Sequence, residues 1–241
     1  MTEEQKNTSL IPTTGGAVAP QTGDDVFNKL VKSGDYLGYV TLVQANADLA
    51  KPNAPKRIEA GNYAYVKGTN VIDLGKDFTA GVIRWRPTAR IVDKTGEGTK
   101  ITSFHDPESE DFKAIQAAAS VQQKNPKLLN YYGFEYLLWL EETECFATFY
   151  CNNATTRRHA SEAIHPLMGK VTNWGSRFIE TDAHSWYGPE VSKSDTDLLN
   201  APTQEMIDTE CERFDNPPEN TGDGTSTEEV EEEAVADDDN R

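Results

Sequence analysis

The residues with the clearest capacity for chemistry lie between positions 82 and 91, where Arg84, Arg86, Thr88 and Arg90 alternate with Trp85, Pro87 and Ala89. Side chains of a β-strand point to opposite faces in turn. The three arginines therefore project to one side as a row. Ile83, Trp85, Pro87, Ala89 and Ile91 project to the other, the predicted core side. A row of guanidiniums suits a phosphate track, because each can make charge-assisted, bidentate bonds to phosphate oxygens. The same row can equally do no more than solvate a surface strand. Residues 51–100 as a whole hold ten basic residues against five acids.

Tyr63, Tyr65 and Lys67 form a second candidate group in GNYAYVKG. They share one strand face and mix aromatic with basic character. Binding of single strands combines stacked bases with a positive track. Packing of both tyrosines into a core is the competing use. A third group is Thr155, Thr156, Arg157, Arg158 and His159, at a predicted helix start. Free amides and two guanidiniums there could hold an anion, or the segment could be an ordinary capped surface helix. The dense set Tyr131, Tyr132, Phe134, Tyr136 and Trp139 reads as core and interface.

Other chemistries find little support. Cys145, Cys151, His159 and His165 are spaced C-x5-C-x7-H-x5-H, which is not a zinc-finger spacing. Cys145 and Cys151 share a strand face with Ala147 and Phe149, the pattern of buried thiols. No metal and no cofactor is expected. No phosphate-binding glycine loop, HExxH or GxSxG is present, and His105-Asp106 reads as a turn before Pro107. A non-enzymatic protein is expected.

Patterning along the chain supplies the framework for these groups. Residues 1–25 read as a disordered arm, and Asp24-Asp25 could open a short helix with Phe27, Leu30 and Val31 on one face. Residues 26–190 read as a globular, β-rich domain. Strands are predicted in YLGYVTLVQ, NYAYVKG, VIDLG, FTAGVIRWRPTARIV, ITSFHD, YYGFEYLLWLEE, ECFATFYCN, RFIETDAH and through Trp186-Tyr187. Helices are predicted in PESEDFKAIQAAAS and TTRRHASEAIHPLMG. Residues 191–216 read as a linker with a possible short helix, TQEMIDTECERF, and 217–241 as a disordered acidic tail. The expected fold class is α+β, mostly β: a small OB-like barrel with inserted helices and disordered termini.

Charge is unevenly spread. The whole chain of 241 residues carries -17. Residues 191–241 hold 17 acids against Lys193, Arg213 and Arg241, a net of -14, which leaves -3 for the rest. The low isoelectric point thus reports the tail, and does not exclude nucleic acid as a partner of the body. Three cysteines without a paired framework, no apolar leader and no bilayer-length apolar run point to a soluble protein of a reducing, cytoplasmic compartment.

The layout resembles that of phage single-stranded-DNA-binding proteins: a polar N-terminal arm, a β-rich domain containing GVIRWRPTAR, and the tail STEEVEEEAVADDDNR. The series YVTLVQANADLAK, NYAYVKG, DLG and WRP is also similar to a tailed-phage family, and the likeness spans most of residues 36–190. It implies an oligonucleotide-binding barrel with stacking aromatics, single-stranded DNA as ligand, and replication proteins as partners of the tail, in the host cytoplasm. In one respect the chain departs from that class, whose tails commonly end in an aromatic residue. This one ends Asn240-Arg241, so the resemblance does not extend to docking through a terminal aromatic. A flexible polyanion beside a basic groove would compete locally for it. The alternative is a phage structural or interaction protein whose acidic tail recruits partners. Homo-oligomerisation stays open, and no membrane is expected.

Overall fold

The structure is a computed structural model and describes residues 37–95, 100–121, 125–152, 154–181 and 185–216. The predicted arm, the helix from Asp24 and the acidic tail lie outside the described residues. The body is one nine-stranded sheet, strongly curled into a half-barrel, with a few helices packed on it. The strands are β1 (Gly38–Leu42), β2 (Tyr63–Lys67), β3 (Asn70–Gly75), β4 (Phe78–Asp93), β5 (Lys100–Phe104), β6 (Leu128–Leu140), β7 (Cys145–Cys151), β8 (Lys170–Glu180) and β9 (Ser185–Lys193). Helix α1 is Glu110–Ala119, α2 is Ala154–His159 and α3 is Gln204–Asp215. A π turn at Ala160–Ile164 and a 3-10 turn at His165–Leu167 continue α2.

Strand order is β3-β2-β1-β7-β6-β4-β8-β9, with β5 on the far half of β4. Neighbours are antiparallel except β1 and β7, which are parallel. Curling brings together strands that are far apart in this order. Tyr63 of β2 donates from its hydroxyl to the Gly175 carbonyl of β8 at 2.8 Å, and its ring meets Trp174 edge-on.

The concave face is filled by Tyr63, Tyr65, Phe78, Tyr136, Phe149 and Trp174, with Ala160 and Ile164 of the α2 continuation as a plug. Burial of such side chains contributes about 1.5–3 kcal/mol each. Cys145, Ala147, Phe149 and Cys151 share this face, as the strand pattern predicts, and both cysteines are buried thiols outside any disulfide. The convex face carries Leu137, Trp139, Phe146 and Val171, covered by α3 through Ile207 and Phe214. Further along, the loop around Ile58 covers Ala64 and Val66 of β2, and α1 lays Phe112 and Ile115 over Ala89.

Helix ends follow their sequence signals. Ser109 caps α1 by accepting from the Phe112 amide, and Thr203 caps α3 by accepting from the Met206 amide. The helix expected in TQEMIDTECERF therefore forms. It is not part of a linker: it buries an apolar face on the sheet, and β9 runs to Lys193. The segment 191–216 thus belongs to the body, because Leu198, Ile207 and Phe214 complete a core that the sheet alone leaves open. Among the described residues no helix is long and apolar enough to cross a membrane.

Gly133 of β6 sits where the β6–β7 ladder ends. A Cβ placed there would lie 1.8 Å from the Cys151 carbonyl oxygen. The obstacle is backbone, which cannot rotate away. Gly133→Ala is expected to destabilise the fold by about 1–3 kcal/mol or more, measured as a fall in denaturation midpoint with unchanged far-ultraviolet dichroism.

Candidate nucleic-acid interface

Strand β4 carries the arginine row because its pairing with β6 slips once. The register moves from Val82↔Leu138 to Arg84↔Leu137, so Ile83 is an extra residue in a β-bulge. Val82 faces the concave core, whereas Ile83 and Arg84 both lie on the convex side. Alternation then resumes, with Trp85 inward and Arg86, Thr88 and Arg90 outward. Beyond Ala89 the strand runs on with β5 and β6 alone, as a three-stranded arm.

The row is not an open groove. Arg86 donates from Nε and Nη2 to Glu135 Oε2 at 3.0 and 2.7 Å, and Arg90 Nη2 reaches Glu135 Oε1 at 2.5 Å. Arg86 Nη1 also donates to the Phe214 carbonyl at the end of α3. The Arg86 guanidinium lies 4.1 Å over the Phe214 ring and that of Arg90 lies 4.0 Å over Tyr150. Arg84 Nη2 pairs with Asp215 Oδ2 at 2.8 Å, and both side chains keep solvent contact, at 48% and 37% exposure. The expectation of a free phosphate track on this face is therefore corrected: carboxylates and the C-terminal turn of α3 already occupy these guanidiniums.

Glu135 holds the cluster together. Burial pushes its carboxyl upward, but Arg90 and Arg86 outweigh it and hold the group below the ordinary glutamate value. Thr88 is fully buried and its hydroxyl is hydrogen-bonded to His105 Nδ1 at 3.1 Å. Burial first, then the neighbouring arginines, lower His105 to about 4. Asp106 accepts from the Glu108 amide, so His105-Asp106 does close a turn. The sequence pattern places Glu135 in an aromatic strand and gives it no partner. The one signal it offers is a lone acid in FEYLLWL, whose neighbours on either side are apolar.

The tyrosines go inward. Tyr63 and Tyr65 are 0% and 2% exposed, and a stacked base needs an open ring face, so neither is available as a platform. Their strand face is the one predicted; which side of the curled sheet it became is set by the packing. Lys67, at the end of the same strand, is half-buried near Arg213 and Glu210 of α3. Arg157 donates to the Tyr132 and Asn152 carbonyls at 2.8 and 2.7 Å, and exposed Arg158 pairs with Glu162 at 3.1 Å. The helix-start anion site is thus closed at Arg157 by backbone oxygens. His165, half-buried, stacks on Trp85 at 3.9 Å. Among the described residues no three His, Cys, Asp or Glu side chains are grouped to hold a metal.

A basic region that strand patterning does not single out lies beside β2 and β3. Residues 51–70 hold Lys51, Lys56, Arg57 and Lys67 against Glu59. Lys56 Nζ donates to the Val71 carbonyl at 2.5 Å, which fastens this loop to the β2–β3 hairpin, and Lys56 and Arg57 are exposed. No family model, curated protein or solved structure matches the chain.

The Glu135 cluster makes two measurable demands. Glu135→Gln leaves two half-buried guanidiniums without their carboxylate, and chemical denaturation should show a loss of about 3 kcal/mol or more. His105 has a folded value below its ordinary 6.5, so the unfolded chain takes up its proton first on acidification. Its contribution is fully present above pH 6.5 and is lost as pH falls toward 4. Melting temperature should decline through that window, and His105→Asn should flatten the decline.

Proposed function

We propose that this protein is a non-enzymatic single-stranded-DNA-binding protein serving phage DNA replication or recombination. The observation that carries the proposal is the basic loop and hairpin of residues 51–70 on a curled, mostly-β body, with exposed Lys56 and Arg57 and half-buried Lys67. Such a surface offers phosphate contacts without base readout, which is what sequence-tolerant binding needs. The finer assignment of the half-barrel as an oligonucleotide-binding fold belongs to this proposal. So do recruitment of replication proteins by the acidic tail and action in the host cytoplasm.

A specific observation favours a second function, that of a phage structural or interaction protein whose acidic tail recruits partners. Arg86 and Arg90 share the single carboxylate of Glu135, and Arg84 pairs with Asp215. That arrangement suits a sheet with a purely architectural role as well as a binding one.

Fluorescence anisotropy with a labelled single-stranded oligonucleotide, titrated across salt concentrations, separates the two. The expected outcome is binding that weakens steeply with salt. Lys56→Ala and Arg57→Ala should each reduce the logarithmic salt slope by about 0.7 for every phosphate no longer neutralised. Absence of binding at low salt would overturn the DNA-binding proposal and leave the second.

A further inference from the structure

The last turn of α3 lies on the arginine row and places two hydrogen-bond acceptors on it. The Asp215 carboxylate sits on Arg84, and the Phe214 carbonyl accepts from Arg86. Of the two carboxylates that Arg84, Arg86 and Arg90 meet in these pairs, Glu135 belongs to the sheet and Asp215 to α3. Release of Asp215 alone would leave both Glu135 and the buried Phe214 in place. Lys67 lies close enough to Arg213 and Glu210 to feel both charges, so the same helix also bears on the basic hairpin. The helix is anchored in the convex core by Ile207 and Phe214 and at its start by the Thr203 cap, so only the end beyond Phe214 can leave without opening that core. The Arg84–Asp215 pair is half-exposed, the class of ion pair that contributes least to stability.

We propose that Asp215, at the C-terminal end of α3, is a removable cover over a further phosphate contact at Arg84, while Phe214 stays in the convex core. The inference rests on the DNA-binding proposal and adds a regulation to it. A strand that first engages Lys56 and Arg57 runs along the convex face, and one of its phosphates replaces the Asp215 carboxylate on Arg84. Arg86 and Arg90 stay bonded to Glu135 throughout, so the sheet is not disturbed.

The test uses the full chain. Oligonucleotide affinity is measured by anisotropy for the parent, Asp215→Asn, Arg84→Ala, the double variant, Lys56→Ala/Arg57→Ala, and Asp208→Asn as a control for net charge on the same helix. Asp215→Asn should tighten binding by about two- to fivefold, the factor set by a surface ion pair. It should exceed the gain from Asp208→Asn, and it should vanish in the Arg84→Ala background. Hydrogen exchange should show the Asn216 amide, which is bonded to the Glu212 carbonyl, exchanging faster when oligonucleotide is bound. Equal gains from Asp215→Asn and Asp208→Asn, or slowed exchange at Asn216 on binding, would overturn the cover while leaving salt-dependent binding through Lys56 and Arg57 intact. No binding by any of these proteins would instead overturn the function on which the inference rests.

Discussion

The shared bonding of Glu135 to Arg86 and Arg90 is the constraint around which the convex side of the molecule is organised. A carboxylate buried on a sheet face is costly unless its charge is matched and its lone pairs are used. Here two guanidiniums use them, and each guanidinium is then backed by an aromatic ring, Phe214 for one and Tyr150 for the other. Replacement of Glu135 alone leaves two guanidiniums in half-buried sites without their carboxylate. That couples β4, β6, β7 and α3, since each contributes a member to the cluster.

The β-bulge at Ile83 is the backbone event that makes this geometry available. With the slip, the inward series Ala80 and Val82 continues as Trp85, and Arg84, Arg86 and Arg90 emerge on the side where α3 packs. Without it, an unbroken alternation from Val82 would send Arg84 and Arg86 into the concave core with Tyr63 and Trp174. The helix C-terminus is also a favourable neighbour for cations, because its last carbonyls lack intrahelical partners. Arg84 and Arg86 both lie at that end of α3, one on a side chain and the other on a carbonyl.

Under the proposed nucleic-acid binding, the loop and hairpin of residues 51–70 are better placed for a first contact than the strand richest in arginine. Guanidiniums held by carboxylates and aromatic faces are poor first contacts for a phosphate backbone. Exposed Lys56 and Arg57 have no such burial to overcome. Helix α3 neighbours both regions, through Arg213 and Glu210 near Lys67 and through Asp215 on Arg84.

Period-two patterning determined most of the secondary structure by itself. The strands of NYAYVKG, FTAGVIRWRPTARIV and ECFATFYCN form where alternation and β-branched or aromatic content place them. The faces within them, Tyr63 with Tyr65 and Cys145 with Cys151, are as the alternation requires. The helix caps at Ser109 and Thr203 are equally local. What the pattern could not decide is which face of each strand would be covered, and by what. Alternation defines two sides without naming the inner one, and curling of a nine-stranded sheet is a property of all its pairings together. Tyr63 and Tyr65 therefore became core, and the arginine row became the seat of α3. The partnership of Glu135 with Arg86 and Arg90 joins residues 45 to 49 positions apart, and that of Arg84 with Asp215 spans 131. Partnerships of that range leave no periodic trace in a single sequence, because they depend on register and on helix docking, which only the folded chain fixes.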